Sequence, residues 1–119
     1  MRVLVVDNEP EVRTLICDAL EDAGYDCVVA KDEDEAGLRL AGERMSLLIT
    51  DLDLGVGATG YEVARHARAA DDELPVLYVT GTAGPRLEHL AVEGSKALLK
   101  PFDVDDLVAL AKSLMRRDH

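Results

Sequence analysis

The chain has 119 residues, a length typical of one domain, and 48% of them are hydrophobic, which fits a compact globule and not a disordered segment. Its formal net charge of −11 argues against direct binding to nucleic acid or to an anionic membrane, because both require a basic face. No apolar run approaches the roughly 18 residues of a membrane-spanning helix, and no secretory signal precedes the first apolar run, so the sequence predicts a cytoplasmic protein.

Short apolar runs alternate with segments of helical period throughout the chain, a pattern typical of an α/β domain. Pro10 suits the first turn of the first helix, and Gly24 suits its end. The predicted strands cover about 2–6, 27–30, 47–50, 76–79 and 96–99, and the predicted helices begin near 10, 32, 61, 86 and 103, the fourth running to about Glu93. This alternation predicts a five-stranded parallel sheet with about five helices over both of its faces.

The two cysteines belong to different predicted elements and to no recognisable pairing motif. Cys17 lies in the first helix and Cys27 in the second strand. We expect both to be buried free thiols, because a disulfide is improbable in a chain without a secretory signal.

Four polar side chains follow four of the apolar runs, each at the point where a strand ends. They are Asp7, Asp51, Thr80 and Lys100, which follow the runs at 3–6, 47–49, 76–79 and 97–99. In an open parallel sheet, ligands bind just beyond the carboxyl ends of the strands. The four side chains are therefore predicted to converge on one crevice.

Carboxylates dominate that predicted crevice. Asp7 and Asp51, with either Glu9 or Asp53, would crowd like charges together, which is costly unless a cation binds. All of these donors are oxygens, and no paired histidine or cysteine accompanies them, so Mg²⁺ is the ion that the set favours.

Lys100 and Thr80 add the groups that phosphoryl chemistry requires. A lysine ammonium neutralises charge that develops on a phosphoryl group, and a threonine hydroxyl can donate a hydrogen bond to a phosphoryl oxygen. Gly81, directly after Thr80, leaves the phosphoryl position open. An aspartate can itself be the nucleophile that accepts phosphate, and Asp51 is the candidate.

These residues resemble the receiver domains of two-component response regulators. The resemblance covers essentially the whole chain, which we therefore expect to be a single receiver domain over residues 1–119. The order and spacing of the matching pieces are more specific than any one piece. The pieces are Val3-Leu4-Val5-Val6-Asp7-Asn8-Glu9-Pro10, Ile49-Thr50-Asp51, Val79-Thr80-Gly81 and Lys100-Pro101-Phe102.

The resemblance implies a flavodoxin-like sheet of strand order 2-1-3-4-5 and a set of roles at its carboxyl end. Asp51 would be phosphorylated from a phosphohistidine on a histidine kinase or a histidine phosphotransfer protein, and Thr80 and Lys100 would contact the phosphoryl group. The resemblance also implies a cis bond between Lys100 and Pro101. The ligands that it implies for Mg²⁺ are Asp7, Asn8, Asp51 and the backbone carbonyl of Asp53.

The implied response to phosphorylation is a shift of the loop at 81–85, the helix after it and the last strand, so that the domain meets a downstream protein partner differently. A homodimer through the last two helices is a further association that the resemblance allows. Neither nucleic acid nor membrane is an expected direct partner.

Three features depart from the usual pattern of that family. Asn8 stands where a second acid is usual, and its amide oxygen can ligate Mg²⁺ but brings no charge, which predicts weaker Mg²⁺ binding. Ala97 stands where a rotating tyrosine or phenylalanine is frequent. The loop at 54–60 lacks the common proline and is one residue longer than the commonest form, as in receivers of hybrid histidine kinases and in small single-domain regulators.

Two other functions stay open at this point. The segment at 51–53 is similar to the Asp-x-Asp motif of haloacid-dehalogenase-type phosphatases, although the other acid precedes it here and no cap insertion is present. Alternatively, Asn8 and Ala97 could mark a degenerate receiver that binds partners without phosphorylation; the retention of all three phosphoryl-site residues argues against this.

Overall fold

A computed structural model describes residues 1–54, 59–81 and 90–116, and within these ranges the chain forms five strands and four helices. The strands are β1 (Arg2–Val6), β2 (Asp26–Ala30), β3 (Leu47–Asp51), β4 (Val76–Thr80) and β5 (Lys96–Leu99). The helices are α1 (Pro10–Asp22), α2 (Glu33–Gly42), α3 (Gly60–Ala70) and α4 (Val104–Met115). The strands form one parallel sheet of order β2-β1-β3-β4-β5, as the resemblance implied.

Both faces of this sheet are buried, because side chains alternate between the faces along strands that are apolar throughout their interior. The face under α2 and α3 is formed by Leu4, Val6, Leu48, Val76 and Tyr78, packed on Ala36, Val63, Ala64 and Ala67. The face under α1 and α4 is formed by Val3, Val5, Leu47, Ile49, Leu77 and Val79, packed on Ile16, Leu20, Leu107, Ala111, Leu114 and Met115. This double layer holds the strand ends rigidly in register.

Side chains at the helix starts fix where three of the helices begin. The Asp32 carboxylate accepts the Glu35 N–H at 3.0 Å at the start of α2, and the Asp103 carboxylate accepts the Asp105 N–H at 2.9 Å at the start of α4. At α1, Pro10 occupies the first turn, as predicted. None of the helices in the described ranges is long and apolar enough to cross a membrane.

Residues 55–58, 82–89 and 117–119 lie outside the described ranges. Most of the fourth predicted helix and most of the loop at 81–85 fall there, as does the centre of the loop at 54–60. Where the structure resumes, Leu90 is helical, but a bend follows at residue 91 and a turn at 93–94, so the prediction that the helix continues to Glu93 is wrong at its last three residues. The Val92 N–H is donated to the Tyr78 hydroxyl at 3.1 Å, and Gly94 turns the chain with a φ of 77°.

Cys17 and Cys27 are free thiols, as expected, but both are half-buried and not fully buried. They pack at the margin of the cluster between the sheet and the helices α1 and α4. Cys27 lies on β2, which is an edge strand, so the core does not enclose it completely.

Candidate functional site

Buried polar side chains are confined, within the described ranges, to the carboxyl end of the sheet. They are Asp7, Thr50, Asp51 and Thr80, with exposed fractions of 1%, 0%, 6% and 3%. Asp7 comes directly after β1, while Asp51 and Thr80 are the last residues of β3 and β4. Because β1, β3 and β4 are neighbours in the sheet, these side chains meet at one edge, as the sequence predicted.

Lys100 connects the acidic residues of this edge. Its ammonium Nζ lies 3.2 Å from Asp7 Oδ2, 3.2 Å from Asp51 Oδ2 and 3.6 Å from Glu9 Oε1. Its backbone N–H donates to the Thr80 carbonyl at 2.8 Å, which fixes the chain at the end of β5 against the end of β4. The Lys100–Pro101 bond is cis, as implied. All four strand-end residues therefore belong to one site.

Backbone amides hold the second oxygen of each buried carboxylate. Asp7 Oδ1 accepts the Glu9 N–H at 2.9 Å, and Asp51 Oδ1 accepts the Asp53 N–H at 3.2 Å. Each carboxylate is thus held between a backbone donor and the Lys100 ammonium, with its orientation fixed before any ligand arrives. The second bond also brings the backbone of Asp53 beside the Asp51 carboxylate.

The charges of this site are not balanced by Lys100 alone. Burial raises the pKa of the Asp7 carboxyl, and the nearby Asp51 raises it further, against the lowering effects of the Glu9 N–H and of Lys100. Burial by itself would lower the pKa of Lys100, but attraction to Asp7 and Asp51 outweighs it and the pKa is raised. Two buried carboxylates with one ammonium leave an excess of negative charge that an added cation would relieve.

Glu9 completes an arrangement that suits a divalent ion. One carboxylate oxygen each from Asp7, Glu9 and Asp51 lie within 4.8 Å of one another. Hard oxygen donors at this spacing fit Mg²⁺. The sequence left Glu9 and Asp53 as alternatives for the third acid, and the structure places the Glu9 carboxylate in the cluster. Asn8 lies at the surface between Asp7 and Glu9.

Three further features of the site were not predicted. The Arg13 guanidinium donates to the Asp7 carbonyl at 2.7 Å, and the Thr50 hydroxyl donates to the Asp51 carbonyl at 2.9 Å. Gly60, the first residue of α3, packs so tightly on the Asp51 backbone that a Cβ there would overlap the Asp51 carbonyl oxygen. A basic residue in the first turn of a helix is electrostatically unfavourable, and this could have drawn attention to Arg13.

Comparison with known proteins identifies the class. The family model described as response regulator receiver domain matches residues 3–112, and this chain therefore belongs to that family. The phosphate regulon transcriptional regulatory protein PhoB of Pseudomonas aeruginosa is 34% identical over 121 residues, covering 97% of this chain and 52% of that protein. The chain thus spans about half the length of the curated relatives it matches.

Solved structures agree with this assignment. A response regulator receiver protein from Sinorhizobium medicae superposes with a TM-score of 0.92 at 26% identity, covering 98% of this chain and 94% of that one. The response regulator TrrA of Thermotoga maritima, solved in complex with Mg²⁺ and BeF, gives a TM-score of 0.86 at 28% identity, covering 95% and 97%. The expectation of a receiver domain of two-component signal transduction is confirmed, and the phosphatase alternative is set aside.

Proposed function

We propose that Asp51 is the residue that accepts the phosphoryl group, from a phosphohistidine on a histidine kinase or a histidine phosphotransfer protein. The observation that carries this is the Asp51 carboxylate itself, 6% exposed at the end of β3 and held by Lys100 and the Asp53 N–H. A carboxylate so oriented can attack phosphorus without reorganising.

The chain's own residues have separable roles in this transfer. Asp51 forms the new O–P bond while the P–N bond to the donor imidazole breaks, and that imidazole leaves as a neutral base once its nitrogen takes a proton. Lys100 neutralises charge on the transferred group, and Thr80 donates a hydrogen bond to one of its oxygens. Thr80 lies 3% exposed at the end of β4, the strand next to β3, which supports that role.

The residues present fit a Mg²⁺ ion. Bound there, the ion would offset the negative charges of the carboxylates and of the incoming phosphoryl group. We propose Asp7, Asp51, Asn8 and the backbone carbonyl of Asp53 as the residues that hold it. Glu9 supplies the carboxylate that position 8 lacks, since one of its oxygens lies within the cluster.

We further propose that phosphorylation regulates binding to a downstream protein and that the domain is a phospho-acceptor, not a catalyst of repeated turnover. The phosphoryl group carries about −1.5 to −2 charge units and replaces the single charge of the Asp51 carboxylate, so up to about one negative charge is added at a site that already holds an excess. Such a change alters the contacts of Lys100 and Thr80 and therefore the end of β4. A net charge of −11 favours a basic protein surface over nucleic acid as the direct partner.

The decisive experiment exposes the protein to acetyl phosphate and Mg²⁺ and measures the intact mass. We expect a gain of one phosphoryl group that requires Mg²⁺ and that is absent in Asp51→Asn. Asp53→Asn is the matched control, because Asp53 is exposed and its proposed contribution comes from the backbone. A wild-type protein that stays unmodified, and that also fails to bind beryllofluoride, would instead support the degenerate receiver.

A further inference from the structure

Tyr78 occupies a position between the candidate site and the turn at 92–95. It lies on β4 two residues before Thr80, so both side chains face the same side of the sheet. Its side chain is fully buried at 0% exposure. Any displacement of the Thr80 end of β4 therefore acts on a side chain that has no room to move independently.

The Tyr78 hydroxyl holds the turn at 92–95. It accepts the Val92 N–H at 3.1 Å, across 14 residues of chain. Two hydrogen bonds close the turn: the Ser95 hydroxyl and N–H both donate to the Val92 carbonyl, at 2.6 Å and 3.2 Å. Arg68 of α3 donates to the Glu93 carbonyl at 2.8 Å, which attaches the turn to α3. The turn leads directly into β5 and hence to Lys100.

A second connection runs from Tyr78 to the strand that carries Asp51. The Tyr61 and Tyr78 rings lie 5.4 Å apart at 57°, a favourable tilted pair. Tyr61 follows Gly60, which packs on the Asp51 backbone and donates its N–H to the Leu52 carbonyl at 3.0 Å. Tyr78 thus contacts both the segment after Asp51 and the turn before β5.

The neighbouring strand offers no competing large side chain at this level. Ala97 is the register partner of Tyr78 on β5, so it faces the same side of the sheet, and it is exposed. The Ala97 methyl group is too small to respond to a movement of Thr80 by filling or leaving a cavity. Within the described ranges, the Tyr78 ring and its hydroxyl bond link this face of β4 to the segment that leads into β5, where Ala91 and Val92 pack on the same cluster.

We propose that Tyr78 transmits the state of Asp51 to the turn at 92–95 through its hydrogen bond to Val92. This inference rests on the proposed phosphorylation of Asp51. When Thr80 and the segment after Asp51 adjust to a phosphoryl group, the Tyr78 ring moves with β4 and Tyr61, and the Val92 bond carries that movement to the turn. Tyr78 is a positioning residue in this scheme and does not touch the phosphoryl group.

The test follows the backbone amides of the ¹⁵N-labelled chain by NMR while Mg²⁺ and beryllofluoride are added. In wild type, the amides of Asp53 and Thr80 report occupancy of the site, and we expect the amides at 92–95 to shift with them. Tyr78→Phe retains the ring and removes the hydroxyl; its Asp53 and Thr80 amides should shift at the same beryllofluoride concentration, while the shift at 92–95 is lost. Tyr25→Phe, a hydroxyl removed at the opposite end of the sheet, should behave like wild type.

Two results would overturn the inference and leave the proposed function intact: shifts at 92–95 that are the same in Tyr78→Phe as in wild type, or no wild-type shift at 92–95 although Thr80 responds. If no amide near Asp51 responds in wild type, the proposed function fails and this inference fails with it. If Tyr78→Phe does not fold, Tyr61→Leu is measured instead. It removes the partner ring at a half-buried position, one of the two contacts proposed to move the Tyr78 ring, and should reduce the shift at 92–95.

Discussion

The interiors of β1, β3 and β4 and the carboxyl ends of the same strands are equally buried but chemically opposite. From Val3 to Val6, Leu47 to Ile49 and Val76 to Val79, no side chain is more than 1% exposed, and each is apolar or, for Tyr78, hydrogen-bonded. At the ends, Asp7 and Asp51 are buried to nearly the same extent but carry charge. The strand interiors stabilise the fold by excluding water from apolar side chains. The strand ends destabilise it by burying carboxylates.

The strand ends are therefore suited to hold a cation and contribute less than the interiors to the stability of the fold. Lys100 compensates the two buried carboxylates only in part, and burial still raises the pKa of Asp7. Functional sites commonly retain such unfavourable charge because a ligand later relieves it. Removing an apolar side chain from a strand interior should therefore lower stability, while removing a carboxylate from the strand ends should raise stability and weaken Mg²⁺ binding.

The largest effect is expected in a strand interior. Leu77→Ala removes a fully buried side chain and should lower the free energy of unfolding by about 3 kcal/mol, through lost burial and a residual cavity. Urea denaturation measures this, with Leu38→Ala, at a position 74% exposed, as the matched control. Equal midpoints for the two variants would contradict the packing described for this face.

The second largest loss of stability is expected when the Lys100 ammonium at the strand ends is removed. Lys100→Met leaves the Asp7 and Asp51 carboxylates facing each other without a cation and should cost about 2 kcal/mol in metal-free protein, less than for a fully buried pair because Lys100 is 21% exposed. Mg²⁺ should restore much of this loss. Lys96→Met, at an exposed position on β5, the strand that Lys100 follows, should leave stability nearly unchanged. A metal-free loss no greater than that of Lys96→Met would disprove the compensating role.

Removing a negative charge from the site should change the free energy of unfolding in the opposite direction. Asp7→Asn in metal-free protein at pH 7 should raise the free energy of unfolding by about 1 kcal/mol, because a buried carboxylate is replaced by a neutral amide. Stabilisation by Mg²⁺ should be lost at the same time. Asp18→Asn, at an exposed position on α1, is the control.

The same variant has a defined pH dependence. Since folding raises the pKa of Asp7, the carboxyl is stabilising only while protonated, below its unfolded value of about 4. Wild type loses that contribution as the pH rises through the raised pKa, so the advantage of Asp7→Asn should grow as the pH rises above about 4. An advantage independent of pH over this range would show that charge is not its cause.

The smallest effects concern the two residues after Asp7. Asn8→Asp should tighten Mg²⁺ binding and Glu9→Gln should weaken it, each roughly fivefold, which corresponds to about 1 kcal/mol. Calorimetric titration of Mg²⁺ against the wild type and both variants measures these changes. Equal affinities for wild type and Asn8→Asp would contradict the prediction that the amide weakens the site, and an unchanged Glu9→Gln would remove Glu9 from it.

Much of the fold could be predicted from the sequence, because hydrophobic periodicity is a local property. Apolar runs separated by helical segments determined five parallel strands, and their lengths placed Asp7, Asp51, Thr80 and Lys100 just at or beyond the ends. Parallel strands end at a common edge, so these residues could be grouped before any coordinates. The prediction failed at 91–93, where a distant tyrosine hydroxyl takes the Val92 N–H that a helix would have used.

The contacts among these groups depend on the three-dimensional arrangement of the strands. Lys100 can reach Asp7 and Asp51 together because β1 and β3 lie side by side, an order that the sequence pattern alone does not specify. The choice of Glu9 as the third acid, the bond from Arg13 to the Asp7 carbonyl and the bond from Tyr78 to Val92 all depend on the paths of connecting segments. Local sequence pattern is enough to identify the residues at the strand ends. Three-dimensional packing sets their partners, because hydrogen bonds and ion pairs depend on distances across the sheet and not along the chain.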